Sequence, residues 1–168
     1  MVSLPKIYQM FVTKDTLTED AKVWIYPASR KFYPQELEAL NEKLRNFVDG
    51  WKAEDPEFKA SFSLEYQRFI VFFADEQAVL TNADIDAQVS FILGLEQTYE
   101  LVLMDKMNVC FKQGDFVQYK DVKAFKKLLK DKSVSSKTVV FDNLVQNKYE
   151  FDTYWEVPIT ESWYSRFL

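Results

Sequence analysis

Histidine is absent from this 168-residue sequence, and cysteine occurs once, as Cys110. Serine–histidine and cysteine–histidine catalysis within the chain is thereby excluded, and so are zinc sites built on cysteine and histidine. A lone thiol forms no intramolecular disulfide, which fits a reducing compartment, and the expected location is cytoplasmic. Glycine is also scarce: Gly50, Gly94 and Gly114 stand isolated. Neither a Walker-type loop nor G-x-G-x-x-G exists, so nothing here resembles the glycine-rich cradle that brings backbone amides to a nucleotide phosphate. No apolar run has the length of a membrane span. The patch at residues 7–12 is short, is broken by Gln9, and is too polar for a signal peptide. Basic charge is in deficit, with 21 Lys and Arg against 26 Asp and Glu and a net charge of −5. That balance argues against nucleic acid as a partner. The exception is residues 120–132, with six lysines on a predicted helix. Phe125, Leu128 and Leu129 supply that helix with an apolar face, so the lysines read as its solvated side. No cofactor and no tightly bound transition metal are expected.

Aromatic residues are abundant, at 17% of the chain, with 15 Phe, 9 Tyr and 4 Trp. Rings dominate ordinary cores, so a ring-rich interior is the first reading and an aromatic-walled groove the second. Cys110, in the apolar run 107–111, reads as a small buried hydrophobe.

Residues 21–27 are β-branched and aromatic and stop at Pro27, as a strand does. Pro34 then suits the first position of a helix, and Leu37, Leu40, Leu44, Phe47, Val48 and Trp51 follow at helical spacing. Phe62, Leu64 and Tyr66 alternate with polar residues, and residues 69–74 are continuously apolar. Together they read as a hairpin with an unmarked turn at residues 66–68. Thr81 or Asn82 caps the next helix, with Ile85, Val89, Ile92 and Tyr99 as its apolar stripe, widened by Leu93 and Leu95. Residues 107–112 and 115–119 flank Gln113-Gly114 and predict a second hairpin. A helix at 121–132, a strand at 138–141, a helix at 143–155 and an irregular aromatic end at 156–168 complete the chain. The fold class is α+β: one domain over 1–168, with an N-terminal arm (1–20), a split βαβ-like core (21–112) in ferredoxin-like β-α-β-β-α-β order, and a C-terminal α/β extension (113–168) on the same sheet.

Carboxylates and arginines are the remaining chemistry. Asp75 and Glu76 end the central strand, and Asp84 and Asp86 open the helix after it. If strand end and helix start converge, four acids surround one loop, an arrangement for Mg²⁺ or Ca²⁺ or for general acid–base work. Ordinary strand-end and helix-start roles explain the same residues. Only four of the 21 basic residues are arginine: Arg30, Arg45, Arg68 and Arg166. The planar guanidinium suits a carboxylate or phosphate ligand, with pairing to a native carboxylate as the structural alternative. A ligand groove is expected to be walled partly by Trp163, beside Arg68 or Arg166.

Several segments resemble a family of short uncharacterised bacterial proteins, some of which bear an automatic label of ABC transporter ATPase. They are Lys22-Val23-Trp24-Ile25-Tyr26, Tyr66-Gln67-Arg68-Phe69-Ile70-Val71, Asp75-Glu76, Ile85-Asp86, Val140-Phe141-Asp142-Asn143-Leu144-Val145 and Trp155-Glu156-Val157-Pro158, with Glu161-Ser162-Trp163 and Arg166-Phe167. The match spans nearly the whole chain from Lys22. The resemblance implies a cysteine-serine pair in relatives where this chain has Ala83-Asp84. It also implies histidines shortly after Trp51 and at Tyr164. This chain departs at all three places, which favours a non-catalytic member.

The functional expectation is a non-enzymatic binding or interaction module for a small molecule or protein, with no nucleic acid and no membrane as partner. The alternative is a carboxylate-dependent hydrolase, with or without assistance from Mg²⁺, on Asp75, Glu76, Asp84 and Asp86. The tail after Tyr154 is expected to fold back on the domain, because Trp155, Val157, Ile159, Trp163, Tyr164 and Phe167 are too apolar to stand in water.

Overall fold

The computed structural model describes residues 10–168. Residues 1–9, with half of the N-terminal arm's apolar patch at 7–12, lie outside the described part. Met10, the first described residue, is buried, and residues 10–12 run beside Ala60.

The fold is mixed α+β with two antiparallel sheets. Strands β1 (Lys22–Pro27), β2 (Ala60–Glu65) and β3 (Phe69–Ala74) form the first, in the order β1-β3-β2. All six residues of β3 are buried, because both faces of this central strand are covered. Ile70, Phe72 and Ala74 face helices α1 (Leu37–Gly50) and α2 (Asn82–Tyr99), against Leu40, Leu44, Val48, Ile92 and Leu95. Phe69, Val71 and Phe73 face the other way, toward Cys110, Phe141, Phe151 and Trp155. Period-two alternation thus assigns one strand to two cores.

The second sheet has the order β5-β4-β6-β7, with β4 (Asn108–Gln113), β5 (Phe116–Asp121), β6 (Val139–Phe141) and β7 (Glu156–Pro158). Cys110 and Phe141 point to the first sheet. Val109, Phe111 and Val140 point outward, to Phe125 of helix α3 (Val122–Lys130) and to Ile159 and Tyr164. The layers therefore run helices, sheet, sheet, helix and tail.

This layering corrects the expectation of an extension on one sheet. The chain order through β4 is as read, but β4 does not join β1; it is one of the two inner strands of a second sheet. The edge where a fourth strand would lie is partly taken by residues 146–148, with Val23 N–H donating to Gln146 O (3.0 Å). The continuous apolar run Val109-Cys110-Phe111 specifies that β4 is buried on both faces. It carries no information on which strand lies beside it.

Two further segments differ from their sequence reading. The helix expected at 143–155 is only α4 (Lys148–Tyr154). Asp142 accepts Leu144 N–H (3.2 Å), turning the chain, and Asn147 then caps the helix by accepting Glu150 N–H (2.8 Å). The end expected to be irregular contains β7 and two short 3₁₀ turns, and Trp155, Val157, Ile159 and Tyr164 are buried. Trp163 stays 38% exposed. Among the described residues no helix is long and apolar enough to cross a membrane.

Candidate functional site

The β2–β3 hairpin turns on Tyr66 and Gln67, both in the left-handed region at φ 54° and 53°, with Arg68 N–H returning to Glu65 O at 2.9 Å. The register pairs Glu65 with Phe69, so the loop holds three residues, and the favoured residues for its two left-handed positions are asparagine and glycine. Tertiary contacts hold the turn in place. Gln67 O accepts Phe32 N–H (2.8 Å), and the Tyr66 ring packs on Phe141 at 5.2 Å between centroids. The β4–β5 hairpin turns on Gly114, at φ 60°, and Asp115. Between residues 66–68 of the first tip and 115–117 of the second, with Lys31 beside them, lies a cleft of about 280 Å³.

Arg68 joins the two sheets within this cleft. Its Nε donates to Ala28 O (3.0 Å), Nη2 to Ser29 O (2.9 Å) and Nη1 to Val117 O (2.5 Å). The guanidinium lies over the Tyr119 ring, and no carboxylate pairs with it among the described residues. Burial lowers its pKa. Behind it, burial pushes the Cys110 thiol up to about 12, against the pull of Arg68. A thiol held this far from ionisation is a packing group.

At the rim, Tyr66 Oη donates to Glu156 Oε1 (2.6 Å), and Lys112 pairs with the same carboxylate while its ammonium lies 5.0 Å from the Tyr66 ring centroid. Burial and then the Glu156 bond raise the Tyr66 pKa. Hydrogen bonding to Glu156 raises that of Lys112. Phe116, 74% exposed, stands at the second tip. The cleft therefore offers an uncompensated guanidinium, a lysine, the carboxylate of Asp115 and two aromatic rings. These groups suit the binding of a small anion with an apolar body.

None of the other expected site residues lines this cleft. Asp75 accepts Gln77 N–H (3.0 Å) at a turn, and Glu76 accepts the Thr18 hydroxyl (2.9 Å). Asp84 is buried against Lys52 (2.8 Å) and completes the cap of α2 with Thr81. Asp86 is exposed. Among the described residues no group of three or more acids, cysteines or histidines is placed to hold a metal ion. Arg166 stacks on Trp163, 3.9 Å from its ring centroid, and donates to Trp163 O (3.0 Å). That pair sits on the tail turn beside Tyr164 and Phe167, so Trp163 and Arg68 wall no common groove. Arg30 and Arg45 pair with Glu36 and Asp49. Of the cleft residues, only Arg68 was singled out from sequence. Lys31, Tyr66, Gln67, Asp115 and Phe116 were not, because a cleft between two hairpin tips leaves no mark in either tip's own sequence.

No family model matches the chain, and neither does a curated protein or a solved structure.

Proposed function

We propose that the chain is a non-enzymatic binding module that takes a small anionic ligand with an apolar body in the cleft between the two hairpin tips. Arg68 carries the reading. It is a half-buried guanidinium without a carboxylate, beside a lysine and two partly exposed rings. A half-buried cation satisfied by carbonyl dipoles is still a centre of positive potential, and it favours an anion placed near it. The left-handed Tyr66-Gln67 turn supports the same reading, because unfavourable backbone conformations concentrate where a site is shaped.

The alternative, a carboxylate-dependent hydrolase, calls for acids facing one cavity. Asp84 is committed to Lys52 and Asp86 stands in solvent, an arrangement that does not favour it. A cytoplasmic setting, a partner that is not nucleic acid, and kinship of the β1–α2 half with split βαβ units of the ferredoxin-like kind belong to the same proposal.

Titration of ¹⁵N-labelled protein with benzoate, hexanoate and inorganic phosphate tests it. Saturable shifts are expected at residues 31, 66–68 and 115–117 with benzoate above all. Lys31→Ala and Phe116→Ala, both at exposed positions, should each weaken binding by about tenfold, or about 1.4 kcal/mol. Amides of the cleft that stay unmoved by all three probes would refute the assignment.

A further inference from the structure

Residues 120–137 carry seven lysines and two aspartates in a chain of net charge −5, so the remainder of the molecule is acidic. Both aspartates sit at the ends of α3. Asp121 caps it by accepting Ala124 N–H (2.7 Å), and Asp131 is its C-cap. Elsewhere Lys14, Arg30, Arg45, Lys52, Lys112 and Lys148 pair with carboxylates. Among the described residues no lysine of this stretch does so. Like charges crowded without counter-charges repel one another, and an anionic partner relieves that repulsion.

The same face carries a shallow, open groove of about 530 Å³, lined by Leu129, Val134 and Phe167 together with Lys126, Lys130 and Lys132. The Lys126 ammonium lies 4.5 Å from the centre of the Phe167 ring. The apolar face of α3 is already committed to the core through Phe125, which is fully buried, so the helix has no free apolar stripe to lay into a bilayer. A recess with apolar walls receives protruding side chains; a flat charged surface does not fill it.

We propose that this groove docks an acidic amphipathic helix of another protein. Apolar side chains of that helix fill the recess against Leu129, Val134 and Phe167, and its carboxylates meet Lys126, Lys130 and Lys132. The surface is separate from the Arg68 cleft, so each proposal stands or falls alone.

The test is a titration of the ¹⁵N-labelled full chain with a synthetic helix bearing glutamates on one face and leucines at i, i+3, i+4 and i+7 on the other. Saturable shifts at Leu129, Val134 and Phe167 are expected, weakening as salt is raised. A K126E/K130E double variant should bind at least about tenfold more weakly, and a peptide with glutamine for glutamate should not bind. If the double variant melts below the parent, Lys132→Glu, in the loop after the helix, supplies the charge reversal. Absence of saturable shifts would overturn the proposal, as would binding that survives charge reversal. So would tighter binding to phosphatidylserine vesicles or duplex DNA than to the peptide.

Discussion

Gln67 and Tyr66 show how a single residue can be held in a conformation it does not favour. A left-handed conformation costs an L-residue roughly 1–2 kcal/mol, and glycine is relieved of that cost. Here two such residues in succession are held by the Phe32 N–H bond to Gln67 O and by the ring contacts of Tyr66. Gln67→Gly is expected to stabilise the protein by about 1 kcal/mol, seen as a higher urea midpoint at unchanged slope. A midpoint that falls would show that the Gln67 side chain contributes more than its backbone costs. The absence of a glycine or asparagine also explains why the turn is hard to read: its chemistry lies in partners far along the chain.

Helix α2 is decided at the scale of the element. Its buried residues are Asp84, Gln88, Ile92, Leu95 and Tyr99, whereas Ile85 and Val89 are half-buried and Leu93 is exposed. The C-terminal half of the expected stripe, Ile92, Leu95 and Tyr99, is buried as read, whereas in the N-terminal half the buried face lies one position earlier, on Asp84 and Gln88. Polar residues occupy the N-terminal half of the buried face because each has a partner. Gln88 Oε1 accepts the Tyr26 hydroxyl (2.5 Å), and Asp84 Oδ2 accepts from Lys52. Burial opposes the Asp84 charge, but Lys52 and Thr81 outweigh it and hold the carboxyl below its ordinary pKa. The Asp84 bond in turn raises Lys52, against burial. A lowered carboxyl contributes stability above its unfolded pKa of about 3.9, and that stability is lost as pH falls through the folded value. A raised lysine contributes below about 10.4, and that contribution is lost as pH rises through its folded value. The pair thus supports the fold across the whole neutral range. Asp84→Asn leaves the buried ammonium with only the exposed Glu54 carboxylate (3.2 Å) and is expected to cost about 1–3 kcal/mol at neutral pH. Urea titrations of parent and variant should converge as pH falls below about 4; a gap that persists in acid would assign the loss to packing.

At the scale of the whole molecule, the second sheet exists only because distant segments meet. Strand β6 pairs with β4 on one side and with β7 of the tail on the other. The tail then adds Ile159 and Tyr164 to the core under α3, and Trp155 to the core between the sheets. Truncation after Tyr154 removes four buried apolar or aromatic side chains, each contributing roughly 1.5–3 kcal/mol, from a fold whose net stability is of the order of 5–15 kcal/mol. Loss of the cooperative thermal transition is expected, followed by circular dichroism. A shortened protein that melts within a degree or so of the parent would show that the tail is dispensable.

Residue order alone determined most of the elements, because period-two and period-3.6 patterns of apolar residues are local properties of the chain. The apolar run of β3, the stripe of α1 with Pro34 ahead of it, the Thr81 cap, the Gly114 hairpin and the buried Cys110 are all legible in this way. So are the exclusions that follow from lacking histidine and a glycine-rich loop. Tertiary structure decided which strand lies beside which, since a strand buried on both faces has the same pattern in either sheet. It also decided the fate of the charged candidates. Whether Arg68 meets a carboxylate or three carbonyls, and whether Asp84 faces a cavity or Lys52, depends on residues up to 49 and 32 positions away. The Arg68 cleft was beyond sequence reading for the same reason: two hairpin tips create it only when the sheets stack.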